Sequence, residues 1–183
     1  MGREARRTLN EPEATRALAH PVRLELLNYL MSNGPATASQ CARAVGDTPS
    51  NCSYHLRALA KVGLVAAGES TDARERPWRA LVTGFDVEPD TEDERTITAL
   101  VLQRDQRLAR EFLARRDRLP QRWREVAGLS TYTLKMTPDE LQRLGERLDA
   151  LIRPFIAATR EDAPGDAEQV HLGLHAFPTG GPA

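Results

Sequence analysis

The stretch Thr48 to Val65, TPSNCSYHLRALAKVGLV, concentrates polar chemistry in a short span. On a helix of 3.6 residues per turn, Ser50, Tyr54, Arg57 and Lys61 share one face, while Cys52, Leu56 and Leu59 fall on another. Hydroxyls, an amide, an imidazole and cations are the groups that bond to phosphates and base edges in a DNA groove. The apolar face needs a core to hold it. The segment therefore predicts a helix presented to nucleic acid, provided that neighbouring elements support it.

A second cluster of cations follows. Arg74, Arg76 and Arg79 put three positive charges within six residues, diluted by Asp72 and Glu75. Alone, such a cluster reads equally as a solvated loop or as a phosphate contact. Other reactive side chains point away from catalysis or metal binding. Cys41 and Cys52 form neither CxxC nor CxC and fall on apolar helix faces, as small buried residues would. His171 and His175, in HLGLH, lie four residues apart on an expected strand, about 13 Å, too far to share one ion. They read as polar-face imidazoles, and His20 before Pro21 reads as the start of a helix. The chain lacks GxSxG, P-loop and GxGxxG motifs, and an enzyme is not expected. No cofactor and no metal are expected.

Composition limits the partners. Net charge −1 excludes a general polycation, so any nucleic-acid contact must come from a local patch. The halves differ in sign: residues 1–85 hold 11 Lys+Arg against 8 Asp+Glu, and the rest hold 14 against 18. The polar helix thus lies in the basic half. No apolar run approaches the roughly 18 residues of a membrane helix, and the charged first residues lack a signal-peptide core. A cytoplasmic protein with reduced thiols and no membrane contact is expected.

The elements that would position the polar helix can be read in order. Residues 1–10 are polar and read as flexible. Glu11 to Ala19 is a short helix, and PVRLELLNYLMSNG is a stronger one that stops at Asn33-Gly34. Thr37 to Val45 is a third, with Ala38, Cys41, Ala42 and Val45 as its stripe. Gly46, an N-cap at Asp47 or Thr48, and Pro49 start the polar helix at once, which is a helix-turn-helix arrangement. LVAAGE and WRALVTG read as the two strands of a hairpin wing around the Arg-rich loop.

These pieces, LAHPVRLELLNYL, ATASQCARAVGDTPSNCSYHLRALAKVGLV and RERPWRALVTG, resemble the ArsR-type winged helix-turn-helix transcriptional regulators, in particular their metal-independent actinobacterial members. The resemblance covers residues 14–84. It implies that Ser50, Asn51, Ser53, Tyr54, His55 and Arg57 occupy recognition-helix positions that face DNA, with Lys61 on the same polar face and Arg74, Arg76 and Arg79 in the wing. It also implies a dimer on double-stranded DNA that represses by occluding an operator. A winged-helix module that binds protein instead of DNA is the alternative, which the near-neutral charge permits.

Residues 85–90 read as a linker and 91–118 as a long helix, with Ile97, Leu100, Val101, Leu108, Phe112 and Leu119 on one stripe. Either this stripe pairs across a two-fold axis or it packs on its own C-terminal region. Tyr132, Leu134 and Met136 alternate as in a strand, and so do Val170, Leu172, Leu174 and Ala176. Between them lies a helix with Thr137 as N-cap, Glu140 in a capping box, and Leu141, Leu144, Leu148, Leu151 and Ile152 on its buried face. Trp78, Trp123, Tyr132 and Phe155 could line a pocket for a small-molecule effector, or be core aromatics. The expected fold class is mainly α with small β (α+β). It comprises a winged helix-turn-helix domain at 11–84, a dimerisation helix and connector at 91–127, and a strand-helix-strand unit at 128–178 whose sheet a partner subunit would complete. Residues 179–183 read as flexible.

Overall fold

The computed structural model of the 183-residue chain describes residues 7–68, 76–87, 89, 91–156 and 162–180. Strand β1 (Arg7–Leu9) leads into helices α1 (Pro12–Leu18), α2 (Pro21–Asn33), α3 (Ala38–Val45) and α4 (Pro49–Lys61). Strands β2 (Val65–Ala67), β3 (Trp78–Ala80) and β4 (Phe85–Val87) follow, then the long helix α5 (Glu92–Arg115). A 3-10 turn at Arg116–Arg118 separates it from α6 (Gln121–Val126); α7 (Pro138–Ile152) ends in a second such turn at Arg153–Phe155.

The helix boundaries follow local chemistry. Pro12, Pro21, Pro49 and Pro138 each sit in a first turn, where the missing N–H has no intrahelical partner to lose. Thr37 and Thr137 each form a capping box, with Gln40 and Glu140 respectively. Gly34 and Gly46 end α2 and α3 at φ 78° and 71°, a region that disfavours side chains bearing a Cβ.

One apolar core unites the first half of the chain. Leu24, Leu26, Leu27 and Leu30 of α2 lie at its centre, fully or almost fully buried. Leu18 of α1, Cys41 and Ala42 of α3, and Cys52, Leu56 and Leu59 of α4 close around them, and Ile97 of α5 reaches in. The hairpin β2–β3 is antiparallel, with Val65 opposite Ala80 and Ala67 opposite Trp78. Ala36 adds a third rung: its N–H donates to the Trp78 carbonyl at 2.9 Å, and Trp78 N–H returns the bond at 2.7 Å. The wing is thereby fixed to the loop before α3. The fold is α+β and winged helix-turn-helix.

Several expectations need correction. Residues 7–9 are not flexible: β1 pairs in parallel with β4, Arg7 opposite Phe85 and Leu9 opposite Val87. The expected linker at 85–90 therefore contains a strand, and Leu9 is completely buried. Neither C-terminal strand forms. Residues 129–136 and 168–179 carry no regular secondary structure, because neither segment has a sheet neighbour to supply ladder hydrogen bonds. The face of α7 that was expected to be buried is not: no residue of this helix is buried, and Leu151 is 69% exposed. On α5, Ile97 is buried and Leu100 and Val101 pack against the core, while Leu108, Phe112 and Leu119 are only half-buried. Tyr132 and Phe155 are exposed, Trp123 is half-buried and Trp78 packs on the winged core, so Tyr132 and Phe155 are not core aromatics.

Candidate nucleic-acid interface

The turn between α3 and α4 sets the attitude of the polar helix. Gly46 adopts the left-handed conformation, and the Asp47 N–H donates back to the Ala42 carbonyl at 3.0 Å. The Asp47 carboxylate then accepts from Thr48 N–H at 2.6 Å and from the Asn51 amide at 2.6 Å. Thr48 is the N-cap, its hydroxyl accepting from Asn51 N–H at 3.3 Å. Hydrogen bonds from Thr48 and Asn51 to the charged form hold the Asp47 carboxyl below its usual range. Four consecutive residues, Gly46 to Pro49, thus end one helix and start the next.

The far end of α4 is also fixed. Gly63 turns the chain at φ 71°, and the Arg7 guanidinium donates to the carbonyls of Val62 and Gly63, both at 3.4 Å. Glu11 holds that guanidinium in turn, at 3.0 Å. A cation at a helix C-terminus satisfies carbonyls that lack intrahelical donors and complements the helix dipole. Arg7 had no sequence signal, since its target lies 55 residues away.

Between these fixed ends, α4 divides by face as its spacing predicts. Cys52, His55, Leu56 and Leu59 are buried. Ser50, Asn51, Arg57 and Lys61 are exposed, Ser53 is half-buried, and Tyr54 is 63% exposed. Ser50, Tyr54, Arg57 and Lys61 thus form one outward row. Two assignments change in character. Asn51 spends its amide on Asp47, so its first role is to close the turn. His55 does not belong to the outward face: it is 6% exposed, and its ring centroid lies 4.6 Å from that of His20. The positions 52, 55, 56 and 59 are i, i+3, i+4 and i+7, so spacing alone places His55 in the core.

Burial lowers the pKa of both imidazoles, and the nearby Arg23 guanidinium lowers them further. Arg23 is anchored by the carbonyls of Ala17 and Arg16. Burial pushes the Cys41 thiol up to about 11 and raises Cys52 as well, in keeping with cysteines that serve as core.

Beside α4, Arg76 is exposed at the base of the hairpin and Arg79 is half-buried on β3, opposite Ala66. Arg74 lies outside the described residues. In the second half, His171 and His175 converge on a residue that sequence reasoning did not connect to them: their Nε2 atoms lie 3.0 Å from the two carboxylate oxygens of Asp105. Among the described residues, no group of three or more His, Cys, Asp or Glu could hold a metal ion.

A capped support helix, a tight turn, a second helix with one polar face outward and a hairpin beside it constitute a winged helix-turn-helix. Residues 18–66 match the helix-turn-helix domain family, less than half of the chain. Among solved structures, the homodimeric winged helix-turn-helix DNA-binding domain of a possible ArsR-family regulator from Mycobacterium bovis is 25% identical. That match covers 50% of this chain and 72% of that one, with a TM-score of 0.34. A MarR family transcriptional regulator from Silicibacter pomeroyi is 23% identical over 77% of this chain and 78% of that one, TM-score 0.32. A Mycobacterium tuberculosis MarR family protein in complex with salicylic acid is 21% identical over 75% and 85%, TM-score 0.31. No curated protein matches the chain. No helix among the described residues is long and apolar enough to cross a membrane.

Proposed function

We propose that this chain is a sequence-specific, double-stranded-DNA-binding transcriptional regulator of the ArsR type, acting in the cytoplasm as a homodimer that represses by occupying its operator. The observation that carries the reading is the row Ser50, Tyr54, Arg57 and Lys61, exposed along a helix whose opposite face is locked into the core. A helix so held can enter a major groove without rearranging, and its side chains match base edges and phosphates. Asn51 and Ser53 flank the row near the N-terminus of α4, where the helix dipole favours a phosphate. Arg76 and Arg79, together with the charge of Arg74, supply a backbone-gripping wing. His55 serves by holding the helix in place.

Two copies would place two such helices in successive major grooves, about 34–36 Å apart. A small-molecule effector would act by changing that spacing. Selection of bound genomic fragments at low salt tests the reading directly. Enrichment of a two-fold symmetric site is the expected result, and failure to retain any sequence would leave a protein-binding winged module in its place.

A further inference from the structure

Every buried hydrophobic residue among those described lies at or before Ile97. Beyond it come α5's remaining turns, α6, α7 and two segments of alternating pattern, all without a buried residue of their own. Among the described residues, eleven of the fourteen large exposed hydrophobics fall between Val126 and Phe177. At about 100 Å² for each such side chain, they expose on the order of 1,000 Å² in all, so an interface of the usual size, roughly 800 Å² per partner, would need most of them brought onto one face.

The last segment shows why one copy cannot cover this surface. His171 and His175 both reach Asp105 on α5, and a Cβ on Gly173 would stand 3.1 Å from the same carboxylate. Gln169 donates to the Ser32 carbonyl at the end of α2 at 2.6 Å. Gln169, His171, Gly173 and His175 therefore face the body of the molecule, with a period of two, while Phe177 beyond them is exposed. Even-numbered Val170, Leu172 and Leu174 face away, 55–68% exposed. The polar edge is spent on the chain's own helices and the apolar one is left outward.

We propose that a second copy of this chain covers the outward surface, the segments around Leu134 and Leu172 pairing as strands across a two-fold axis and α7 packing on the sheet they form. Both segments carry strand alternation and lack sheet neighbours, so each can supply the ladder that its counterpart needs. A two-fold axis makes one patch complementary to itself, which is the commonest form of protein association. Four strands under two amphipathic helices also make a viable sheet, where two strands alone would be marginal. The proposal locates the dimer contact assumed in the regulator reading and rests on that reading for the need of a second reading helix.

Sedimentation equilibrium and amide hydrogen exchange on the full chain test it. The wild type is expected to be a dimer at tens of micromolar, with amides at 130–136 and 169–177 protected. The double variant Leu134→Asp/Leu172→Asp should raise the dissociation constant by at least about 100-fold, because association would bury unpaired carboxylates. It should expose those amides while leaving protection of α2 and α4 unchanged. A wild-type monomer overturns the proposal, whether its two segments are protected by each other or bare for some other protein. So does a double variant that remains dimeric with its winged core intact. DNA binding separates the two readings: a monomer that retains an operator fragment sinks the interface and spares the regulator, and a dimer sealed through these segments that retains no DNA does the reverse.

Discussion

The imidazole rings of His20 and His55 lie 4.6 Å apart at an interplanar angle of 43°, joining the N-cap of α2 to the middle of α4. The Nδ1 atoms of both are buried and have no hydrogen-bond partner among the described residues. Arg23 stands beside them, Asp47 acts on His55 from the turn, and Tyr54 meets His55 edge-on at 5.3 Å. The pair packs the start of α2 against α4 through one buried and one half-buried ring, and burial disfavours the charged form of both.

Because both pKa values are lowered in the folded chain, the unfolded state binds more protons as pH falls below the ordinary value of 6.5. Stability then rises with pH across this window and is lost on acidification through and below 6.5. Thermal melts between pH 7.5 and 5 should show a falling Tm, and His55→Leu should flatten the dependence. An equally steep decline in the variant would assign the effect to other groups.

Along the outward row, Arg57→Ala should weaken operator binding by about 1–3 kcal/mol if the guanidinium contacts a base. Lys61→Ala and Arg76→Ala should instead weaken binding to all sequences and each lower the salt slope by about 1. Titrations on specific and random duplexes at several salt concentrations separate the two behaviours. These residues are exposed, so the folded state should change by less than about 0.5 kcal/mol.

Removing the cap by Thr48→Ala should cost about 1 kcal/mol of stability, the usual magnitude for an N-cap. Urea denaturation reads that loss. Gly46→Ala should also destabilise, although nothing lies within 4 Å of the added Cβ, because the strain is in the φ of 71°. Unchanged stability in both variants would show that the turn is not what fixes α4.

Cys41 and Cys52 are fully buried, and burial opposes thiolate formation in both. Neither should react with a thiol reagent at pH 7.5 in the native protein, and both should react once the chain is unfolded. Rapid native labelling of either would reopen a redox role.

The parts legible in the sequence were those with local signals. Thr37 with Gln40, Thr137 with Glu140, and the run from Gly46 to Pro49 declare their helix boundaries within four residues. The face of α4 was likewise legible from spacing. For His55 the family resemblance and the spacing disagree, and the spacing, which puts it beside Leu56 and Leu59, gives the buried position that the structure shows. The pairing of Arg7 with Phe85 could not be read, since three-residue strands joined across 78 positions leave no periodic trace. The C-terminal alternation is present in the sequence, but a strand exists only with a neighbour, and that neighbour is not specified by local pattern.

The guanidinium of Arg7 ties β1 to the two residues that follow α4, Val62 and Gly63. A chain shortened by its first ten residues would retain every side chain of the outward row and the whole matched domain at 18–66. It would nevertheless lose the brace at one end of α4, so its operator affinity would report a loosened scaffold while its contact residues remained intact. The functional length of this reader is set outside its motif.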